Sequence, residues 1–141
     1  MKSGIIEQLI GTNDLLKIIC TDKYYAQKNN NFINYDESPE ASETMNGIIT
    51  LNNEKIGDFY ELKINHFYYK EPTATINSIS LSITNQGIGT KVMKLLTDYS
   101  RSRGMKQIVL EEVINVELME HIGNKLSLKQ ETEGDYLIWQ L

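Results

Sequence analysis

Apolar residues change their spacing along this chain, and the changes divide it into elements. Near the N-terminus Ile6, Leu9 and Ile10, then Leu15, Leu16, Ile19 and Tyr24, recur at helical intervals. This spacing predicts one or two helices over residues 3–28, broken at Gly11-Thr12, with Thr12 or Asn13 capping the second piece. Residues 28–43 turn polar, and Asn29-Asn30-Asn31 and Ser38-Pro39 predict a long loop. Strand signals follow. Ile48, Ile49 and Leu51 run into Asn52-Asn53, a hairpin turn signal, and residues 55–64 read as the returning strand. An aromatic connection, Phe67, Tyr68 and Tyr69, leads to a β-branched stretch over residues 73–83.

The second half is more regular. Ile79, Leu81 and Ile83 alternate up to the turn Asn85-Gln86-Gly87-Ile88-Gly89. Ile88, Val92, Leu95, Leu96 and Tyr99 then form one helical stripe, ended by Gly104. Residues 108–113 read as a short buried strand, and a strand–helix–strand order predicts a right-handed crossover between parallel neighbours. A second helix is expected over residues 116–125. A final antiparallel pair is expected over 126–131 and 136–141, joined through Glu133-Gly134-Asp135. The expected fold class is α+β: a mixed, mainly antiparallel sheet flanked by helices, in a single domain of residues 1–141. Trp139, in the terminal strand, is expected in the core or at a homodimer edge.

Charge narrows the function classes. The formal net charge is -5, which argues against a dedicated nucleic-acid binder. Yet residues 85–106 hold five basic side chains, Lys91, Lys94, Arg101, Arg103 and Lys106, against one acid, Asp98. A local anion site is therefore compatible with an acidic body. Cys20 is the only cysteine, so there is no intrachain disulfide, and a metal site is not expected. No apolar run approaches the ~20 residues that span a membrane, and a cytoplasmic protein is expected.

The glycine turn carries the most specific chemistry. Gly87 and Gly89 leave the backbone N–H groups of residues 86–90 open to a phosphate at a helix N-terminus, with Lys91 on the first turn. The three-glycine dinucleotide fingerprint and the GxxxxGK[ST] loop are both absent. Gln86-Gly87-Ile88-Gly89 resembles the acyl-CoA-binding turn of the GCN5-related N-acetyltransferase (GNAT) superfamily. The preceding Leu81-Ser82-Ile83 resembles that family's fourth strand, residues 109–113 its fifth, and Leu126-Ser127-Leu128 its usual Leu-Gly-Phe ending. The likeness covers roughly residues 44 to 141.

The resemblance implies transfer of an acetyl group from acetyl-CoA to a small-molecule or peptide amine. It implies cofactor contacts from Leu81, Ser82, Ile83, Asn85, Gln86, Gly87, Ile88, Gly89, Thr90 and Lys91, and from Asn115, which is equally placed to cap the second helix. Candidate bases are Glu112, Glu61 and His66, and Tyr69 is a candidate acid for the leaving thiolate. His121 shows no partner in the sequence. The chain departs from the family pattern at Thr84, at Ser127 and at Gly123, which stands where the family often has a tyrosine acid. A catalytically impaired acyl-CoA-binding regulatory or interaction protein is the alternative, and an interaction protein that binds no CoA is a third reading.

Overall fold

Strands, not helices, form the N-terminal region. The computed structural model describes residues 2–27, 41–65, 70–82, 87–113 and 115–141. Strand β1 (Lys2–Asn13) and strand β2 (Leu16–Gln27) make an antiparallel hairpin, which overturns the helices expected there. The physical reason lies in alternation. Leu16, Ile18 and Cys20 are buried while Leu15 is 56% exposed, a period of two. These three pair with Leu51, Ile49 and Gly47 of strand β3 (Ala41–Leu51), and such cross-strand burial outweighs local propensity. Asp14 turns the hairpin in the left-handed region, φ 60, which aspartate tolerates.

The next turn is as the sequence signals it. Asn52 and Asn53 both take positive φ, 53 and 67, and join β3 to strand β4 (Glu54–Ile64). Strand β5 (Thr73–Leu81) pairs antiparallel with β4. Helix α1 (Ile88–Ser102) crosses to strand β6 (Gln107–Leu110), which lies parallel to β5. Helix α2 (Val116–Lys125), strand β7 (Lys129–Glu133) and strand β8 (Tyr136–Gln140) complete the chain. The sheet order is β1-β2-β3-β4-β5-β6-β8-β7, with β5–β6 its one parallel pair among the described residues. Strand β8 lies between β6 and β7, so the terminal strand offers no free edge. Trp139 is fully buried and donates its Nε1–H to Gln130 Oε1 at 2.8 Å. Among the described residues no helix is long and apolar enough to cross a membrane.

Helix α1 rests on the N-terminal hairpin. Val92, Met93 and Leu96 are buried in the same hydrophobic cluster as Leu16, Ile18, Met45, Leu62 and Ile76. A Cβ on Gly11 of β1 would lie 3.3 Å from the Leu95 side chain, so this glycine admits the helix rather than breaking one. The far end of α1 is fixed by charge. Just past the helix, Arg103 Nη1 donates to Glu43 Oε1 at 2.6 Å and to the Tyr99 hydroxyl at 2.7 Å. Lys23 Nζ stands 3.3 Å from Glu43 Oε2 and donates to Gln8 Oε1 at 2.7 Å. Glu43 and Lys23 are both buried, so each depends on the other's charge. Burial also pushes the Tyr99 hydroxyl up, against the pull of Arg103, which keeps it neutral as an acceptor. Cys20 is buried too, and its thiol is raised chiefly by that burial, as expected of a structural cysteine.

Removing the Glu43 carboxylate takes a counter-charge from Lys23 and Arg103. Glu43→Ala is expected to cost about 3 kcal/mol in urea unfolding. Asp58→Ala, which removes an exposed partner of Lys55, is expected to cost less than about 1 kcal/mol. Equal costs would show that the buried network does not anchor α1.

Candidate functional site

The sheet opens where β5 outlasts β6. The parallel ladder runs from Thr73–Gln107 to Ile76–Leu110. Two further bonds continue it, from Glu111 N–H to Ile76 O at 3.0 Å and from Glu112 N–H to Asn77 O at 2.9 Å. Beyond them, Ser78 to Leu81 still pair with β4 on one side but have no strand on the other among the described residues. A cavity of about 440 Å³ lies against this open edge. Much of its lining is apolar: Ile76, Ile79, Met93, Leu110, Val113, Leu118, Met119 and Ile122.

The N-terminus of α1 forms part of the cavity wall. Gly87 sits at the N-terminus of α1 with φ 73, the left-handed region that suits glycine. It brings no capping side chain, and the first turn of α1 holds no acidic residue. The early N–H groups of α1 are thus presented to the cavity, which Gly87, Gly89 and Thr90 line. Across from them stands α2, where Ile122 Cδ1 would come within 3.4 Å of a Cβ on Gly89. His121 and Lys125, one helical turn apart, line the same cavity from α2. Neither forms an ion pair among the described residues. A helix N-terminus and a lysine lining the same cavity suit a phosphate.

The sequence-derived residues separate into three groups. Leu81, Gly87, Gly89, Thr90, Asn115 and Glu112 all line the cavity. Ser82, Ile88 and Lys91 do not. Ser82 N–H donates to Ile56 O at 2.7 Å, Ile88 is buried in the core, and Lys91 is exposed. Ile83, Thr84, Asn85 and Gln86, and His66 and Tyr69, lie outside the described residues. Glu61 lies elsewhere on the sheet, at a bulge opposite Asn46, with φ 52. Its N–H is held by Asn46 Oδ1 at 2.9 Å and its carboxylate reaches Lys63 at 3.7 Å. Burial and the neighbouring Glu61, Asp22 and Tyr60 together raise the Tyr24 hydroxyl, which places Glu61 in that group. Among the described residues no cluster could hold a metal ion.

The sequence reading gave His121, Lys125, Leu118, Met119 and Ile122 no part in the site, though all line this cavity. Leu118, His121, Ile122 and Lys125 form an i, i+3, i+4, i+7 stripe on α2, with Met119 beside it. Gly123 has a packing reason: a Cβ there would run into the Gln130 side chain. Position 123 faces β7 and is not part of the cavity lining, so a larger side chain there would not reach the cavity in this packing. Gln130 is itself tied down, donating to Glu120 O and Asn124 Oδ1 at 2.9 Å each.

Asn115 holds two positions at once. It lines the cavity, and its Oδ1 accepts from Leu118 N–H at 3.0 Å, capping α2. Asn115→Ala is expected to lower stability by about 1 kcal/mol, read by thermal or urea unfolding. Asn115→Asp is expected to retain it, since an aspartate caps as well. An alanine variant of unchanged stability would show that the cap is idle.

No protein-family model matches this sequence, and no curated protein matches it. Solved structures match it in shape. RimL, a ribosomal L7/L12 alpha-N-protein acetyltransferase, superposes with a TM-score of 0.59 at 14% identity, covering 98% of this chain and 99% of that one. A GNAT family acetyltransferase from Elizabethkingia anophelis, with acetyl-CoA bound, gives 0.52 at 14% identity, over 92% and 100% of the two chains. A chain of the NatC complex bound to Gag peptide and CoA gives 0.52 at 12%, over 84% and 98%. Each superposition covers most of both chains, so the likeness is one of overall fold. The chain has the fold of the GNAT acetyltransferases.

Proposed function

We propose that the chain is an acetyl-CoA-dependent N-acetyltransferase that holds acetyl-CoA and an amine together and joins them directly. The observation that carries this reading is a single cavity in which the open edge of β5 and the open N-terminus of α1 meet. The three parts of CoA fit its three parts. Pantetheine amides suit the backbone of Ser78–Leu81, whose outer groups otherwise lack a strand partner among the described residues. The apolar lining suits the methylene and dimethyl groups. The pyrophosphate suits Gly87–Thr90, with Lys125 and His121 opposite. Structures of this fold hold CoA or acetyl-CoA in RimL and in the Elizabethkingia protein.

The reaction needs little further apparatus. The amine nitrogen attacks the thioester carbonyl carbon; an N–C bond forms and the C–S bond breaks. One amine proton is lost and one is gained by the departing sulfur, so no other reactant is consumed. Glu112 is the carboxylate among the described lining residues and is our candidate for taking the first proton, directly or through water. Tyr69 remains the candidate for delivering the second. Glu61, engaged with Asn46 and Lys63, is given no part in either transfer. A second reading, CoA binding without transfer, rests on one observation: no tyrosine lines the cavity among the described residues. Release of free CoA thiol across a panel of amines, measured above thioester hydrolysis, separates the two.

Calorimetric titration of CoA tests the site. Gly89→Glu sets a carboxylate at the phosphate mouth and is expected to weaken binding at least about tenfold. Thermal melting should change little, because a Cβ there meets only Ile122 at 3.4 Å. Lys125→Ala is expected to weaken CoA about three- to tenfold, with less effect at high salt. Unchanged affinity in both folded variants would move the site elsewhere.

A further inference from the structure

Strand β5 changes phase in mid-length. In a regular strand successive carbonyls point to opposite sides, so only every second one can reach a given neighbour. Yet Ile76 O and Asn77 O, consecutive in sequence, both accept from the β6 side, from Glu111 N–H at 3.0 Å and Glu112 N–H at 2.9 Å. Core packing carries the same break. Ile76 belongs to the core and Ile79 packs against it, three residues apart. Their β4 partners, Leu62 and Phe59, are both in the core and also three apart. The break decides which groups meet the cavity. Ser82 N–H donates to Ile56 O on the β4 side. Alternation back from Ser82 turns Ser80 and Ser78 to β4 as well, and turns Ile79 and Leu81 to the open edge. Alternation carried on from Ile76 without a break would have turned Ser78 and Ser80 outward instead.

The break has a counterpart on β4. Tyr60–Ser78 and Leu62–Ile76 are in register, but Glu61 and Asn77, which fall between them, do not pair. Glu61 adopts φ 52, and among the described residues it is the only non-glycine inside a strand with positive φ. On the other side of β4, Tyr60 and Glu61 stand against the single residue Asn46, between the pairs Gly47–Phe59 and Met45–Leu62. Asn46 meets the surplus residue with its side chain, whose Oδ1 accepts from Glu61 N–H at 2.9 Å. A β3 side chain thus holds a left-handed residue of β4. That residue lies across from the point where β5 changes phase and where Asn77 lines the cavity.

Resting on the acetyl-CoA reading, we infer that Asn46 and Glu61 are a positioning pair for the cofactor edge of β5. Asn46 holds Glu61 in the left-handed conformation. Glu61 keeps β5 in its changed phase. The changed phase offers the N–H and C=O groups of Ile79 and Leu81 to the ligand. Glu61 acts through its backbone, and its carboxylate takes no part. Neither residue of the pair lines the cavity itself.

Hydrogen exchange in the free chain reads the phase directly. The amides of Ser78 and Ser80 are expected to be protected, and those of Ile79 and Leu81 to exchange fast and then slow when CoA is added. Substitution separates backbone from carboxylate. Glu61→Gly and Glu61→Val both lose the carboxylate, but glycine takes positive φ freely and a β-branched residue resists it. In calorimetric titration the glycine variant is expected to bind CoA at least about tenfold more tightly than the valine variant. Asn46→Ala is expected to weaken CoA about three- to tenfold in a folded chain. Melting temperatures establish which variants are folded; if Glu61→Val is not, Asn46→Ala and the exchange pattern decide. Equal affinities for the glycine and valine variants, or unchanged affinity in Asn46→Ala, would overturn the inference. So would protection of Ile79 and Leu81 with fast exchange at Ser78 and Ser80 in the free chain. Normal CoA binding by the unaltered chain alongside any of these results rejects the positioning pair and leaves the cofactor site standing. No CoA binding by the unaltered chain rejects the cofactor site itself.

Discussion

A nine-residue strand lies beside a parallel neighbour of four, and that mismatch organises the molecule. Strand β5 is paired on the β4 side from Thr75 through to its end at Leu81. On the β6 side the ladder stops after Asn77. Backbone N–H and C=O groups carry a cost when removed from water without partners. The open edge therefore sits on a cavity rather than inside packed core. An extended ligand with amide groups of its own would complete it. The crossover that makes β5 and β6 parallel also sets α1 at the exit of β5. The open edge and the open helix N-terminus are thus two results of one topology.

Such a mouth is useful only if α1 is held still. Its inner face packs into the core shared by the middle strands, and its C-terminal end is tied through Arg103 to Glu43 and from there to Lys23. The first three strands, which contribute nothing to the cavity lining, thereby fix the element that bears the phosphate turn. Helix α2 closes the other side through the Gly89–Ile122 approach and adds Lys125 and His121 to the lining. Substrate binding would then draw on a rigid frame in which few groups need to reorganise.

The turn chemistry and the helix stripes made the second half of the chain legible. Asn52-Asn53, Gly87, Gly104 and Gly134 all adopt positive φ. Helix α2 spans the expected Val116–Lys125. The first 27 residues misled because Ile6, Leu9 and Ile10 fit a helical period by chance of spacing. Strand β2 takes its character from pairing with β3, a partner distant in sequence, and β1 from its hairpin with β2. The same kind of non-locality hid part of the site. His121 and Lys125 acquire meaning only when α2 is set beside the cavity that the α1 N-terminus also lines. Lys91 shows the converse: adjacency in sequence put it near the turn, while the helix points it to solvent.

The central claim is that the β5 edge and the α1 N-terminus form one CoA site. Amide chemical shifts of the labelled protein, followed during titration with CoA, test it most directly. The account expects the largest changes at Ser78–Leu81 and at Gly87–Thr90, saturating together. Changes confined to the β1–β4 region around Tyr24 and Glu61, or none at millimolar CoA, would contradict it.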